Sequence, residues 1–574
     1  MDDDPPAFDP APFGGPSGQV GPRGTNKGGT TDPAARPGVG GATPRGRGAA
    51  AAPRGTTPGG RRRTRTGEAF NWQTWWWNNQ FRFLDFERDP KESTGSADFF
   101  LGATDRKRAL ARASARTPVL LRERIVPALT EALGAKESEV RAAAVKALGR
   151  ISEGVPLDLM TRLLDDSDRH VRFSAALALG DAGARESLPR LLELVRDPKA
   201  DGITRGFAAV SIGMIGEESS AGALREIALE SKASRDLRAC ALVALGLIPC
   251  ESTRETMRAI ALDPKADADL RAIAAGAMGK LCGDAETSIE LASLAADKHP
   301  QLRRSAILAL GLSDPAIAKI DETLAKVLGD DSDLPARAFA CIALGERGTG
   351  RARKPLLTAL EGDPSPSLRA FAALGLGLLR DPSAAPCLRA TFAREANGPS
   401  LRSAAALALG LLRDAEAGTA LRATLADESA DPTLRGFAAL GIGLAGDRSE
   451  AAAMESVLLS RPSVEVLEPL VRAIGLVGDD GTADVVLQAM EAADNDALRG
   501  HLIHAMGHLR DAKFVDPFLR ILRAASESEH ERVYAAIALG HLGDLYATPR
   551  LAAITNRRNY LIDTPTIDLL TLLL

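Results

Sequence analysis

The sequence predicts an all-α fold, an α-solenoid wound as a right-handed superhelix of stacked antiparallel helix pairs, and three observations predict it. A nine-residue pattern, Arg-x-x-Ala-x-x-Ala-Leu-Gly in its fullest form, recurs thirteen times between Arg141 and Gly540. The first and last of its opening positions, Arg141 and Arg532, are twelve steps apart, about 33 residues per step, which accommodates two helices and two turns. Four residues before the copy, in ten of thirteen, stands Asp, Ser or Asn, the residues that cap helix N-termini.

Taken in order, the chain divides into three parts. Residues 1–68 hold 16 Gly and 11 Pro and almost no aliphatic side chain beyond Ala. Such a stretch cannot bury enough apolar surface to offset chain entropy and is expected to be disordered. Its basic residues gather late, in Arg45, Arg47, Arg54 and Arg61 to Arg65. Few aromatics interleave them to stack on bases, so the primary reading is a solvated tether, with nucleic-acid binding through this Arg-rich tail as an alternative.

Residues 69–105 form an aromatic segment. Positions 70–86 read FNWQTWWWNNQFRFLDF and contain all four tryptophans of the chain. At helical spacing Trp72, Trp75 or Trp76, Asn79, Phe83 and Phe86 share one face. That stripe reads as a cap over the otherwise open first repeat. It also reads as a docking element in which Trp72, Trp75, Trp76, Trp77 and Phe81 bind a partner, because exposed tryptophans make binding hot spots.

Residues 106–574 are the solenoid, and the nonamer is the second helix of each pair. Its Ala and Leu positions recur at i, i+3, i+4 and i+7, as at Ala175, Ala178 and Leu179. Glycine ends all thirteen copies. In a helix interior Gly costs about 1 kcal/mol relative to Ala, so its recurrence predicts backbone contact with an adjoining helix. Gly183, Gly216, Gly446, Gly478 and Gly543 stand where a helix-ending glycine belongs. The Arg that opens twelve copies lies one turn after its capping residue. This predicts a structural ladder of alternating acids and arginines, with Asp168 and Arg172, Asp201 and Arg205, Asp333 and Arg337, and Asp431 and Arg435 as rungs. Leu467 breaks the series, with Pro469 two residues on, and marks a bend, a partner site or simple degeneracy. Phe207, Phe339, Phe371, Phe437 and Tyr534 share one repeat position and read as core, or else as an aromatic ladder. The apolar end, NYLIDTPTIDLLTLLL from Asn559, is expected to cap the last repeat.

A capped second helix, Arg in its first turn and an Ala-Leu-Gly ending resemble the HEAT-like repeats of bacteria over residues 106–574. The resemblance implies a protein-binding scaffold before an enzyme. Two enzyme families are similar in repeat form. Deoxyhypusine hydroxylase holds a di-iron site with several His-Glu pairs, whereas this chain has only His530-Glu531, which a Ser528/Glu531 capping box explains. Phycobilin lyases offer no residue set that transfers to this chain.

Chemistry-bearing residues are few. His501, His504, His508, His530 and His541 fall near the end of the chain, and three imidazoles of this group can converge on a metal. The slot of His508 and His541 is Leu at 378, 411 and 444, so it is also packing surface. No metal, no cofactor and no enzymatic activity are therefore expected, with a metal- or cofactor-dependent enzyme kept as an alternative. The five cysteines have neither Cys-x-x-Cys spacing nor the density of a disulfide framework, and read as small buried hydrophobes. A net charge of −4, from 71 basic and 75 acidic residues, creates no field for nucleic acid or anionic membrane. The amino terminus, MDDDPPAFDP, shows no basic n-region and no apolar h-region, so no leader is expected, and no apolar run is long enough to span a bilayer. The expectation is a monomeric, cytoplasmic scaffold about 120 Å along its curve, in the cell envelope only if the true start lies upstream. It binds other proteins in a curved Ala-, Gly- and Phe-rich groove.

Overall fold

The computed structural model describes residues 70–84, 119–151, 154–281, 284–478, 481–524, 526–544 and 552–572. The expected disordered tail, residues 85–105 of the aromatic segment with Phe86, and Cys282 lie outside the described residues. By contact the chain divides into Met1–Phe70 and Asn71–Leu574, and the fold belongs to the second unit. Among the described residues every regular element is helical: thirteen inner helices run from Ser138–Arg150 to Glu529–Gly543, each preceded by an outer helix such as Leu188–Arg196. No described helix is long and apolar enough to cross a membrane.

Local chemistry fixes where the inner helices start. Of the ten Asp, Ser and Asn residues expected as caps, nine accept a bond from an amide two or three residues on, for example Asp201 from Thr204 at 2.8 Å and Asn495 from Leu498 at 2.8 Å. Ser463 makes no such bond, and its helix, Val464–Val477, is the one that carries Pro469 inside it. Gly183, Gly216 and Gly446 take the left-handed conformation at helix ends, with φ of 66°, 78° and 80°. Gly478 does not (φ −62°), and Gly543 is the last residue of its helix.

The nonamer glycine is the joint between neighbours. A Cβ on Gly149 would lie 2.5 Å from the Cα of Ala178, and one on Gly213 2.5 Å from the Cα of Ala244. The series continues through Gly443 on Ala473 and Gly507 on Ala538. At such distances no side chain fits, so the helix backbones touch.

The same joint then closes the row. Gly540 of the last inner helix meets Ala147 of the first, its hypothetical Cβ 2.7 Å from the Ala147 Cα. Around this contact Arg532 pairs with Glu137 at 3.3 Å, Arg523 with Glu131 at 3.4 Å, and Arg124 with Asp516. The caps expected over the first and last repeats are thereby corrected: the two ends of the row meet each other instead. The small rotation from each helix pair to the next, kept up for thirteen pairs, returns the row to its start.

The arginine ladder is also built differently. Arg172 does reach Asp201, at 3.0 Å. Arg205 and Arg435 instead donate through Nε to the carbonyls of Val195 and Leu425, at 2.9 and 3.0 Å. Arg337 combines both modes, bonding the Leu328 carbonyl at 2.7 Å and pairing with Asp363, while Asp333 is taken by Arg304 at 2.7 Å. The repeating task of this arginine is thus to satisfy the open carbonyls at the end of its own outer helix. Asp168 and Asp431 serve as helix caps. Glu531 departs from the expected capping box, because its carboxylate turns to Arg499 at 3.3 Å.

Candidate functional site

Residues at one position of the inner helices line the inner face and explain what fills it. Phe207, Phe339, Phe371, Phe437 and Tyr534 are all buried. Two of them are seats for segments from the two ends of the described chain: Phe437 carries Trp72, ring centroids 4.6 Å apart, and Phe339 carries Tyr560 edge-on at 5.6 Å.

The first of these segments is the tryptophan helix, Trp72–Asn79, started by Asn71, whose side chain accepts from the Thr74 amide at 2.7 Å. Trp72, Trp75 and Trp76 are at most 1% exposed, and Trp77 and Phe81 are half-buried. The Trp72 indole donates to Ser400 Oγ at 3.1 Å, and Trp76 stacks on Phe83 at 5.6 Å. The cap expected over the first repeat is corrected. The segment does not cover the first repeat, and Trp72, Trp75 and Trp76 are turned inward, because the small Ala and Gly side chains of the inner helices leave room for large rings.

The second segment, residues 552–572, crosses the same face instead of capping the last repeat. Asn559 Nδ2 donates to Ser305 Oγ and to the Gln301 carbonyl, each at 3.2 Å. Lys280 donates to the Ala553 carbonyl at 3.0 Å and Arg235 to that of Asp563 at 2.8 Å. The Thr566 hydroxyl donates to Asp236 at 2.5 Å, and Gly206 lies so close that a Cβ there would be 2.8 Å from the Thr566 methyl. The two segments also hold each other: Tyr560 donates to the Asn71 carbonyl, and the Arg557 amide donates to the Asn79 side chain at 2.9 Å. Glu346, on an inner helix and 3% exposed at its side chain, pairs with Arg82 of one segment at 2.5 Å and Arg557 of the other at 3.1 Å.

Near the closing joint the inner face turns basic. Arg472 bonds Gln80 at 3.1 Å and Glu468 at 2.8 Å, and its guanidinium stands 5.0 Å over the Trp77 ring. This residue, and not the buried Leu467, is what the irregular helix Val464–Val477 offers to the tryptophan segment. Beside it His504 and His508, on Asp496–His508, converge with His541 on Glu529–Gly543; one ring nitrogen of each lies within 4.8 Å of the others. Ring centroids of His508 and His541 are 4.1 Å apart. Arg150 of the first inner helix is 2.6 Å from His541 Nδ1, and Phe81 covers His508 at 6.1 Å. Burial drives His508 and His541 well below their ordinary pKa and His504 down to about 4, with Arg150 and Arg472 opposing a further charge, which favours the neutral form of the three rings. His501 and His530 are not part of the cluster.

On the outer surface a groove of about 620 Å³ opens between Ala318–Asp330 and Arg353–Gly362. Ala325, Leu328, Pro355 and Ala359 line it, and Asp321, Arg351 and Lys354 stand among its polar residues. The buried Asp321 carboxylate is held by Arg347 at 2.8 Å and Arg351 at 3.1 Å, which keeps its pKa below the usual range despite burial. Nothing in the nonamer signalled this groove, because the outer helices carry no comparable repeat of sequence.

A family model described as HEAT repeats matches residues 103–180, 126–211, 156–246, 322–410 and 353–441. No curated protein matches the chain. Among solved structures the chain is similar to human deoxyhypusine hydroxylase, at 22% identity over 46% of this chain and 98% of that one, with a TM-score of 0.22. It is similar to the CpcE–CpcF complex of phycocyanin lyase from Nostoc at 23% identity, over 40% and 91% of the two chains, with a TM-score of 0.29. Importin beta matches at 15% identity over 78% and 72%, with a TM-score of 0.35. The described residues form an all-α solenoid, and across the five matched windows its repeats are HEAT repeats.

Proposed function

We propose that this chain is a non-enzymatic HEAT-repeat scaffold that binds another protein, and that the partner meets its outer surface. The observation that carries the reading is the occupancy of the inner face. Residues 71–84 and 552–572 lie across it and bond to inner helices from Arg235–Leu245 to Val464–Val477. A groove among the outer helices is left for a partner, with Ala325, Leu328, Pro355 and Ala359 as an apolar lining for a side chain. One copy is proposed to act alone, a reading supported by the pairing of the first and last inner helices with each other at Gly540 and Ala147.

Affinity purification from the source cells, read by mass spectrometry, tests this with wild type against the variant Ala325→Arg/Thr358→Arg. A protein recovered with wild type and lost with the variant supports the outer groove. Identical recovery with both places any partner elsewhere.

A further inference from the structure

We propose that His504, His508 and His541 form a binding site for a divalent transition-metal ion of the zinc class, each imidazole supplying one nitrogen. Three observations carry the assignment. The ligand atoms already lie within 4.8 Å of one another, on two neighbouring inner helices that the Gly507–Ala538 joint holds in register. Small rotations of three side chains bring such atoms to the separation that a metal with bonds of about 2.0–2.1 Å requires. His504 Nδ1 and His508 Nε2 are buried without a hydrogen-bond partner, and His508 is 7% exposed. Buried polar nitrogens are ordinarily paired, and a metal ion satisfies a lone pair as a donor hydrogen does. Finally, Glu468 sets a carboxylate near His504, Oε1 to Nε2 at 4.0 Å, a negative charge that favours a cation in the cluster.

The surroundings also select the fourth ligand. Arg150 and Arg472 already stand near the cluster, and a bare dication beside them would be opposed. Binding requires Arg150 to release the His541 ring, and an anion on the metal, chloride or hydroxide, gives the guanidinium a new acceptor. The site is thus a three-histidine centre with an anionic fourth position, next to the joint where the row closes. Phe81 of the tryptophan segment covers it.

The full chain, stripped with EDTA and exchanged into chloride buffer without chelator, is titrated with cobalt(II) chloride and then with zinc chloride. The expected result is the intense visible absorption of four-coordinate cobalt, saturating at one equivalent and bleached by one equivalent of zinc. His508→Gln lowers affinity at least tenfold, and His501→Gln, on the same helix but outside the cluster, leaves it unchanged. Absence of the cobalt bands from wild type overturns the proposal, as does equal binding by wild type and a folded His508→Gln. Should that variant fail to fold, the wild-type spectrum and its stoichiometry decide.

Discussion

Gly540 touches Ala147 in the way Gly149 touches Ala178: the contact that joins consecutive repeats also joins the last to the first. Gly540→Val removes the close approach at the closing joint alone. The expected cost is about 1–3 kcal/mol of stability, with a larger radius of gyration by small-angle X-ray scattering if the row springs open. An unchanged scattering curve together with unchanged stability would mean that the joint is not needed.

The tryptophan segment is expected to behave as core. Trp76, fully buried, should cost about 3–5 kcal/mol on replacement by Ala, measured by chemical denaturation. Native fluorescence should be blue-shifted and poorly quenched by iodide, shifting red only on unfolding.

Glu346 joins two segments distant in sequence, so its loss should be felt at both. Arg82 and Arg557 keep side-chain exposures of 20% and 33%, which places the pairs between surface and buried ion pairs. Glu346→Gln is expected to cost about 1–3 kcal/mol. A double-mutant cycle with Arg82→Gln should return a coupling energy clearly above that of the exposed pair Lys319–Glu322.

The cysteines give a contrast in reactivity. Cys240 and Cys341 are fully buried, and burial pushes both thiols far up, whereas Cys387 is only half-buried. In the native protein a thiol reagent should label Cys387 while sparing Cys240 and Cys341, which react only after denaturation. Peptide mapping after labelling reads this directly.

Glu531 predicts a pH dependence. Burial, with a hydrogen bond shared with Glu527, raises its carboxyl to about 7. A raised folded-state pKa contributes stability that is complete below the unfolded value and is lost as pH rises through the folded one. Glu531→Gln keeps the neutral form throughout. Its melting temperature relative to wild type should therefore increase between about pH 4.5 and pH 8. A constant difference would assign the residue no such titration.

The helices, their caps and the glycine joints were readable because each is local chemistry that recurs along the row. Asp201 caps Thr204 whatever lies elsewhere, and Gly213 can only mean close contact. Closure was not readable, because it depends on a small rotation per pair that no single residue encodes and that becomes decisive only when summed. The same holds for the site. The i, i+4 spacing of His504 and His508 stands in the sequence, but Arg150, from the opposite end of the row, reaches them only through closure. For the tryptophan segment the amphipathic stripe was visible, and its destination, Ser400 and Phe437, was not.

An open row of repeats melts from its free ends, where a terminal helix has one neighbour and gains entropy cheaply. Here Ser138–Arg150 has a neighbour on each side, as a helix in mid-row does. Fraying therefore has no starting point, and the first step of unfolding must break an internal joint while the remaining contacts still hold both of its sides in place. Backbone amides of the first and last inner helices should then exchange with solvent as slowly as those of the seventh.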